Sequence, residues 1–167
     1  PRTPVPDMPN TKNQYHNLML RIFTQSLRQL RINPTNPKQI AKGMTKHFLE
    51  FTGIKKEEVI EIIELARRFK KYGYPSNSLK GKIIALIFEK PSTRTKVSFI
   101  SAIYKLGGEA VPLSSAELQL ARGEPIKDTA RVLSKYVDAI VARVLSHSTI
   151  VELANHSSVP VINALSD

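Results

Sequence analysis

A chain of 167 residues, 41% apolar and 23% charged, can bury one sizeable core but is short for a second full domain, so one globular domain with an appendage is expected. The absence of Cys excludes disulfide scaffolds, thiolate nucleophiles and cysteine-bound zinc, and Lys or Arg interrupts every apolar run before it reaches membrane-spanning length. The formal net charge of +11 is concentrated early: residues 1–49 hold eight Lys or Arg against the single acid Asp7, a balance that attracts nucleic acid, anionic membrane or a phosphorylated small molecule without choosing among them.

Four prolines in the first ten residues disfavour a packed element there. From about Tyr15, Met19, Ile22, Phe23, Leu27 and Leu30 recur at helical spacing with Arg21, Arg28 and Arg31 opposite, and Pro34 and Pro37 close this basic helix. Residues 1–45 therefore read either as an organelle transit segment or as an extension packed on the domain or on another subunit. Stacking aromatics are too few beside these charges, only Tyr15 and Phe23, for a nucleic-acid partner to be expected.

A domain is expected over 46–167. It opens with a helix whose inward face is Val59, Ile62, Ile63, Ala66 and Phe69; Glu57, Glu61 and Glu64 precede Arg67, Arg68, Lys70 and Lys71, in the sense that complements a helix dipole, and Gly73 and Pro75 stop it. Lys82–Phe88 reads as a strand buried on both faces. A helix follows with Val97, Ile100, Ile103 and Tyr104 on one side, ending at Leu106-Gly107-Gly108. Ala110–Leu113 is a short strand. Pro125 suits a first helical position before Ile126, Ala130, Leu133 and Val137. Asp138–Val144 is a third strand, Thr149–Asn155 a short helix and Val159–Leu165 a fourth strand. This βαβαβαβ order predicts an α/β fold: an open parallel sheet of about four strands flanked by helices, with right-handed crossovers and a basic N-terminal extension.

In such a sheet, ligands bind beyond the carboxyl ends of the strands, where a helix N-terminus offers free N–H groups. Ser92-Thr93-Arg94-Thr95 falls at that place after the first strand. Its amides and hydroxyls can cradle a dianion, and a guanidinium can clasp two phosphate oxygens. A simple capping turn with a solvated Arg is the alternative. The glycines and Gly-Lys-Ser/Thr ending of a Walker loop are absent.

FEKPSTRTKVSF (88–99) resembles the signature of the aspartate/ornithine carbamoyltransferase family, and YKLGGEAVPL (104–113), LQLARGEPIKDTARVLSKYVDAIVARV (118–144) and VPVINALSD (159–167) follow in the family's order. The Gln-Leu-x-Arg-Gly-Glu loop and the Asn-Ala-Leu-Ser-Asp ending are more similar to the ornithine than to the aspartate type. The resemblance implies transfer of a carbamoyl group from carbamoyl phosphate to an amine, with ornithine giving citrulline, and neither metal nor other cofactor. Ser92, Thr93, Arg94 and Thr95 match phosphate-holding positions, with Thr95 also near the carbonyl oxygen. Arg143 matches the arginine that polarises that carbonyl. Arg94, Thr95 and Arg143 are thus the expected catalytic set. Gln119 matches a loop that enters the neighbouring subunit of a trimer, and Arg122 aligns with a lysine serving that role in aspartate-type enzymes.

The pattern departs from the family in two places. The usual second Arg of the signature is Lys96 and the usual Glu four positions later is Ile100, so an i,i+4 brace is missing. The chain ends at Asp167, before the His-Pro-x-Gln segment and amino-acid domain that the resemblance leads one to expect, and it lacks an initiator Met. A fragment inactive alone is therefore expected, with the accepting amine (ornithine, putrescine or acetylated ornithine) unspecified and a cytoplasmic or mitochondrial-matrix location. A non-catalytic interaction module keeping the fold, and an aspartate- or putrescine-type fragment, are the alternatives. His16, His47, His147 and His156 show no ligand pattern, Lys90 reads as solvated, and Glu124, Asp128 and Arg131 read as structural.

Overall fold

The computed structural model describes residues 47–52, 54–73, 77–114, 117–118 and 123–166. The basic helix expected before residue 46 lies outside them. The elements run α1 (Lys56–Tyr72), β1 (Ile83–Phe88), α2 (Thr93–Lys105), β2 (Glu109–Ser114), α3 (Ile126–Leu133), β3 (Ala139–Arg143), α4 (His147–His156) and β4 (Val161–Asn163). All strand pairs are parallel, in the order β2-β1-β3-β4.

This order explains the composition of each strand. β1 lies between β2 and β3 and is buried from Ile84 to Phe88, which requires an unbroken apolar run. β2 is an edge strand with a largely exposed face, and Pro112, which has no N–H, is tolerated there. Phe48 adds a single parallel bridge to the opposite edge: its N–H donates to Val161 O at 2.8 Å and its O accepts from Asn163 N at 2.8 Å. Leu65 and Phe69 of α1 join Phe99, Ala102 and Ile103 of α2 in a core on one sheet face. Ala130 of α3 joins Ile150 and Leu153 of α4, with Leu118, on the other. Full burial of each large side chain contributes roughly 1.5–3 kcal/mol.

The face expected for α2 is corrected by the structure. Val97 and Tyr104 are 57% and 56% exposed, whereas Ser98, Phe99, Ala102 and Ile103 are buried. Ser98 breaks the apolar stripe in sequence, yet its hydroxyl donates to Thr95 O at 2.8 Å and so can be buried satisfied. In α1, Leu65 replaces Val59 and Ile63 among the fully buried positions. Pro125 precedes α3 with extended ψ, rather than opening the helix. β4 is three residues long, and Leu165, expected within it, lies beyond its end in a left-handed conformation, φ 72°. At the end of α2, a Cβ on Gly108 would meet Leu79 Cβ at 2.8 Å, so this stop demands space as well as flexibility. No helix among the described residues is long and apolar enough to cross a membrane.

His47 closes the β4 edge, where its Nδ1 accepts the Val161 N–H at 3.1 Å. Burial holds its imidazole below the ordinary 6.5. The folded state therefore binds this proton less readily than the unfolded chain. The associated stability is complete above about pH 6.5 and is lost as pH falls through the depressed folded value. Thermal midpoints measured across that range should fall on acidification, and His47→Gln, which keeps an acceptor but does not titrate, should flatten this part of the profile. An unchanged slope would assign the effect elsewhere.

Candidate functional site

The chain passes from β1 to β2 on one side and then places β3 on the other side of β1. The carboxyl ends of β1 and β3 therefore flank a topological switch point, the crevice where open parallel sheets take ligands. Phe88 and Arg143, the last residues of these strands, are paired in register. The first turn of α2 begins five residues beyond Phe88, so the sequence delivers Ser92, Thr93, Arg94 and Thr95 to one wall and Arg143 to the other.

Ser92 occupies the cap position of α2 but makes no side-chain cap bond. Its Oγ instead accepts from Arg143 Nη1 at 2.6 Å, and the same nitrogen lies 3.4 Å from Thr95 Oγ1. Ser146, at the start of α4, shows the ordinary alternative, accepting the Ser148 N–H at 3.1 Å. The Ser92 side chain thus does not cap α2. The amides of Thr93, Arg94 and Thr95 have no acceptor among the described residues, as the first turn of a helix dictates. Arg143 Nε is buried and also lacks an acceptor among them. Thr93 and Arg94 are exposed on the same turn, and Arg94 makes no hydrogen bond or ion pair among the described residues. Arg143 therefore contacts both Ser92 and Thr95, and Thr93 and Arg94 lie on the same helix turn. Gln119 and Arg122 lie outside the described residues.

The wall around Arg143 contains residues that sequence reasoning missed. Glu89 N–H donates to Arg143 O at 3.0 Å, and Glu89 Oε2 accepts from Leu145 N at 2.8 Å. Ser166 Oγ accepts from Val144 N at 2.9 Å, while Ser166 N donates to Asn163 Oδ1 at 2.7 Å. Glu117 Oε2 accepts from both Ser114 N and Ser114 Oγ at 2.6 Å. These bonds hold the Glu117 carboxyl below its usual range, with a smaller contribution from the charge of Lys96. Ile100 packs against the core.

The remaining candidates are peripheral. His147 is exposed, and His156 is the last residue of α4. Glu124 Oε1 accepts from Thr129 Oγ1 at 3.3 Å, and Arg131 pairs with Asp128 at 3.2 Å on the α3 surface. Among the described residues, no group of three or more metal-ligating side chains is placed to hold an ion.

A switch-point crevice with an arginine set across a Ser-Thr-Arg-Thr helix start agrees with a domain-wide likeness to known proteins: residues 46–167 match the family described as aspartate/ornithine carbamoyltransferase, carbamoyl-P binding domain. The chain belongs to this family. It is 54% identical over 125 residues to an ornithine carbamoyltransferase of Archaeoglobus fulgidus, covering 73% of this chain and 41% of that protein. The crystal structure of anabolic ornithine carbamoyltransferase from Campylobacter jejuni matches with a TM-score of 0.69 at 50% identity, over 74% of this chain and 40% of that one. Ornithine carbamoyltransferase from Pyrococcus furiosus matches with a TM-score of 0.68 at 50% identity, over 73% and 40%. This carbamoyltransferase-family chain thus spans about two fifths of the length of such relatives.

Proposed function

We propose that the chain is the carbamoyl-phosphate-binding portion of an ornithine-type carbamoyltransferase. The observation that carries this reading is the 2.6 Å bond from Arg143 to Ser92 across the β1–β3 crevice, beside first-turn amides of α2 that have no acceptor among the described residues. The phosphate sits at the helix start, held by those amides, by Ser92, Thr93 and Thr95 hydroxyls and by Arg94. Arg143 and Thr95 face the carbonyl oxygen. As an amine attacks the carbonyl carbon, negative charge grows on that oxygen. Preformed positive charge lowers the barrier because it needs no reorganisation at that moment. The tetrahedral intermediate then collapses, the bond from carbon to the bridging oxygen breaks, phosphate leaves and the amine loses a proton.

The accepting amine, ornithine in this reading, is bound by the part of the relatives that this chain does not span. Gln119, and more weakly Arg122, serve the neighbouring subunit of a homotrimer, and the dissolved substrates suit cytoplasm or mitochondrial matrix. Ligand binding, rather than turnover, is therefore the direct test. Carbamoyl phosphate and phosphonoacetamide, its analogue with methylene in place of the bridging oxygen, should both raise the thermal midpoint of the 167-residue chain. At a hundredfold excess over Kd the gain is about 2.7 kcal/mol. Sulfate should give a much smaller shift. No shift at millimolar ligand, or an equal shift with sulfate, would overturn the reading.

A further inference from the structure

Glu89 places a carboxylate next to a crevice built to attract an anion, which by charge alone should weaken the site. Its bonds give it another task. β3 ends at Arg143, and beyond that point no strand ladder holds the backbone. The carbonyl of Arg143 is instead held by the Glu89 N–H, the amide of Val144 by Ser166 Oγ, and the amide of Leu145 by Glu89 Oε2. Glu89 thus grips the chain on both sides of Val144, with one main-chain bond and one side-chain bond.

A long side chain can be aimed only as well as the backbone that carries it is held. We propose that Glu89 is a positioning residue for Arg143: its carboxylate fixes the Arg143–Leu145 peptides so that the guanidinium meets Ser92 and Thr95. This inference rests on the acyl-phosphate reading of the crevice, and it assigns Glu89 no contact with ligand. Its acceptor oxygen, not its charge, is what the site needs.

Two variants of the full chain separate these properties. Glu89→Gln keeps an acceptor and removes the charge; Glu89→Ala removes both. Misplacing a binding group by about 1 Å can cost up to about 100-fold, so Glu89→Ala should weaken phosphonoacetamide binding about tenfold or more, and Glu89→Gln should stay within about threefold of the parent. Amide exchange at Leu145 should accelerate in Glu89→Ala and remain slow in Glu89→Gln. The Arg143 Nε–H resonance should shift or broaden only in the former. Should Glu89→Ala not fold, Glu89→Met keeps side-chain length without the acceptor and carries the same expectation.

Parent-like ligand affinity in the acceptor-free variant overturns the proposal. So does an equal loss in both variants with Leu145 still protected, which would make the charge the operative property. If the parent chain binds no phosphonoacetamide, the acyl-phosphate reading fails separately. The exchange and Nε–H measurements then still decide whether Glu89 orders Arg143.

Discussion

Replacing Arg143 by alanine should lower the affinity for phosphonoacetamide at least about 100-fold while leaving the ligand-free chain as stable as before or slightly more so. Hydrogen bonds to charged groups contribute roughly 1.5–3 kcal/mol each, and two such bonds to a bound ligand suffice for that loss. The stability half follows from the local geometry. Arg143 has a buried Nε with no acceptor among the described residues, an arrangement that folding does not reward. Its bonds to Ser92 and Thr95 join half-buried hydroxyls that water can also serve. Arg143→Lys keeps the charge and loses the planar fork, so it should fall between the two. Calorimetric titration with parallel melting curves separates these quantities. A variant retaining affinity within about threefold would remove Arg143 from the site, because even one charge-assisted bond exceeds that.

The sequence displayed this wall unevenly. The apolar runs of β1 and β3 and the charge gradient along α1 are local properties, and each element stands where its residues predict. Strand order is not local: alternation of strands and helices specifies parallel pairing but not the side on which β3 is added. The switch point between β1 and β3 therefore emerged only from the structure. Ser98 hid the true face of α2, since a satisfied buried hydroxyl reads as a surface position. Glu89 is 56 residues from its partner Leu145 and Ser166 is 22 from Val144, and no spacing rule reaches so far. Ser114 and Glu117 were different. Their Ser-x-x-Glu spacing is a known local clasp and was available as a signal. The signature at 92–95 suggested an anion site, but the contact of Arg143 with Ser92, 51 residues apart, was legible only in the structure.

Arg94 presents the complementary case to Arg143, because none of the described residues uses its side chain. It is exposed on the first turn of α2 and has no hydrogen-bonding or ionic partner among the described residues. Arg94→Ala should therefore leave the ligand-free melting temperature unchanged, as surface substitutions generally fall within about 0.5 kcal/mol. Stabilisation by carbamoyl phosphate should nevertheless disappear at concentrations that protect the parent, corresponding to a loss of about 10–100-fold if one bidentate clasp of phosphate is removed. Arg94→Lys should recover part of the affinity, and more of it at low ionic strength, since a point charge without the fork acts mainly through screened attraction. Combining Arg94→Ala with Arg143→Ala tests whether the two arginines serve one ligand. Groups sharing a partner are non-additive, so the double variant should lose less than the two single losses multiplied. Strict additivity would mean that the two guanidiniums act on the ligand without coupling to each other. A matched loss of ligand-free stability in Arg94→Ala would mean that the side chain belongs to folding rather than to binding.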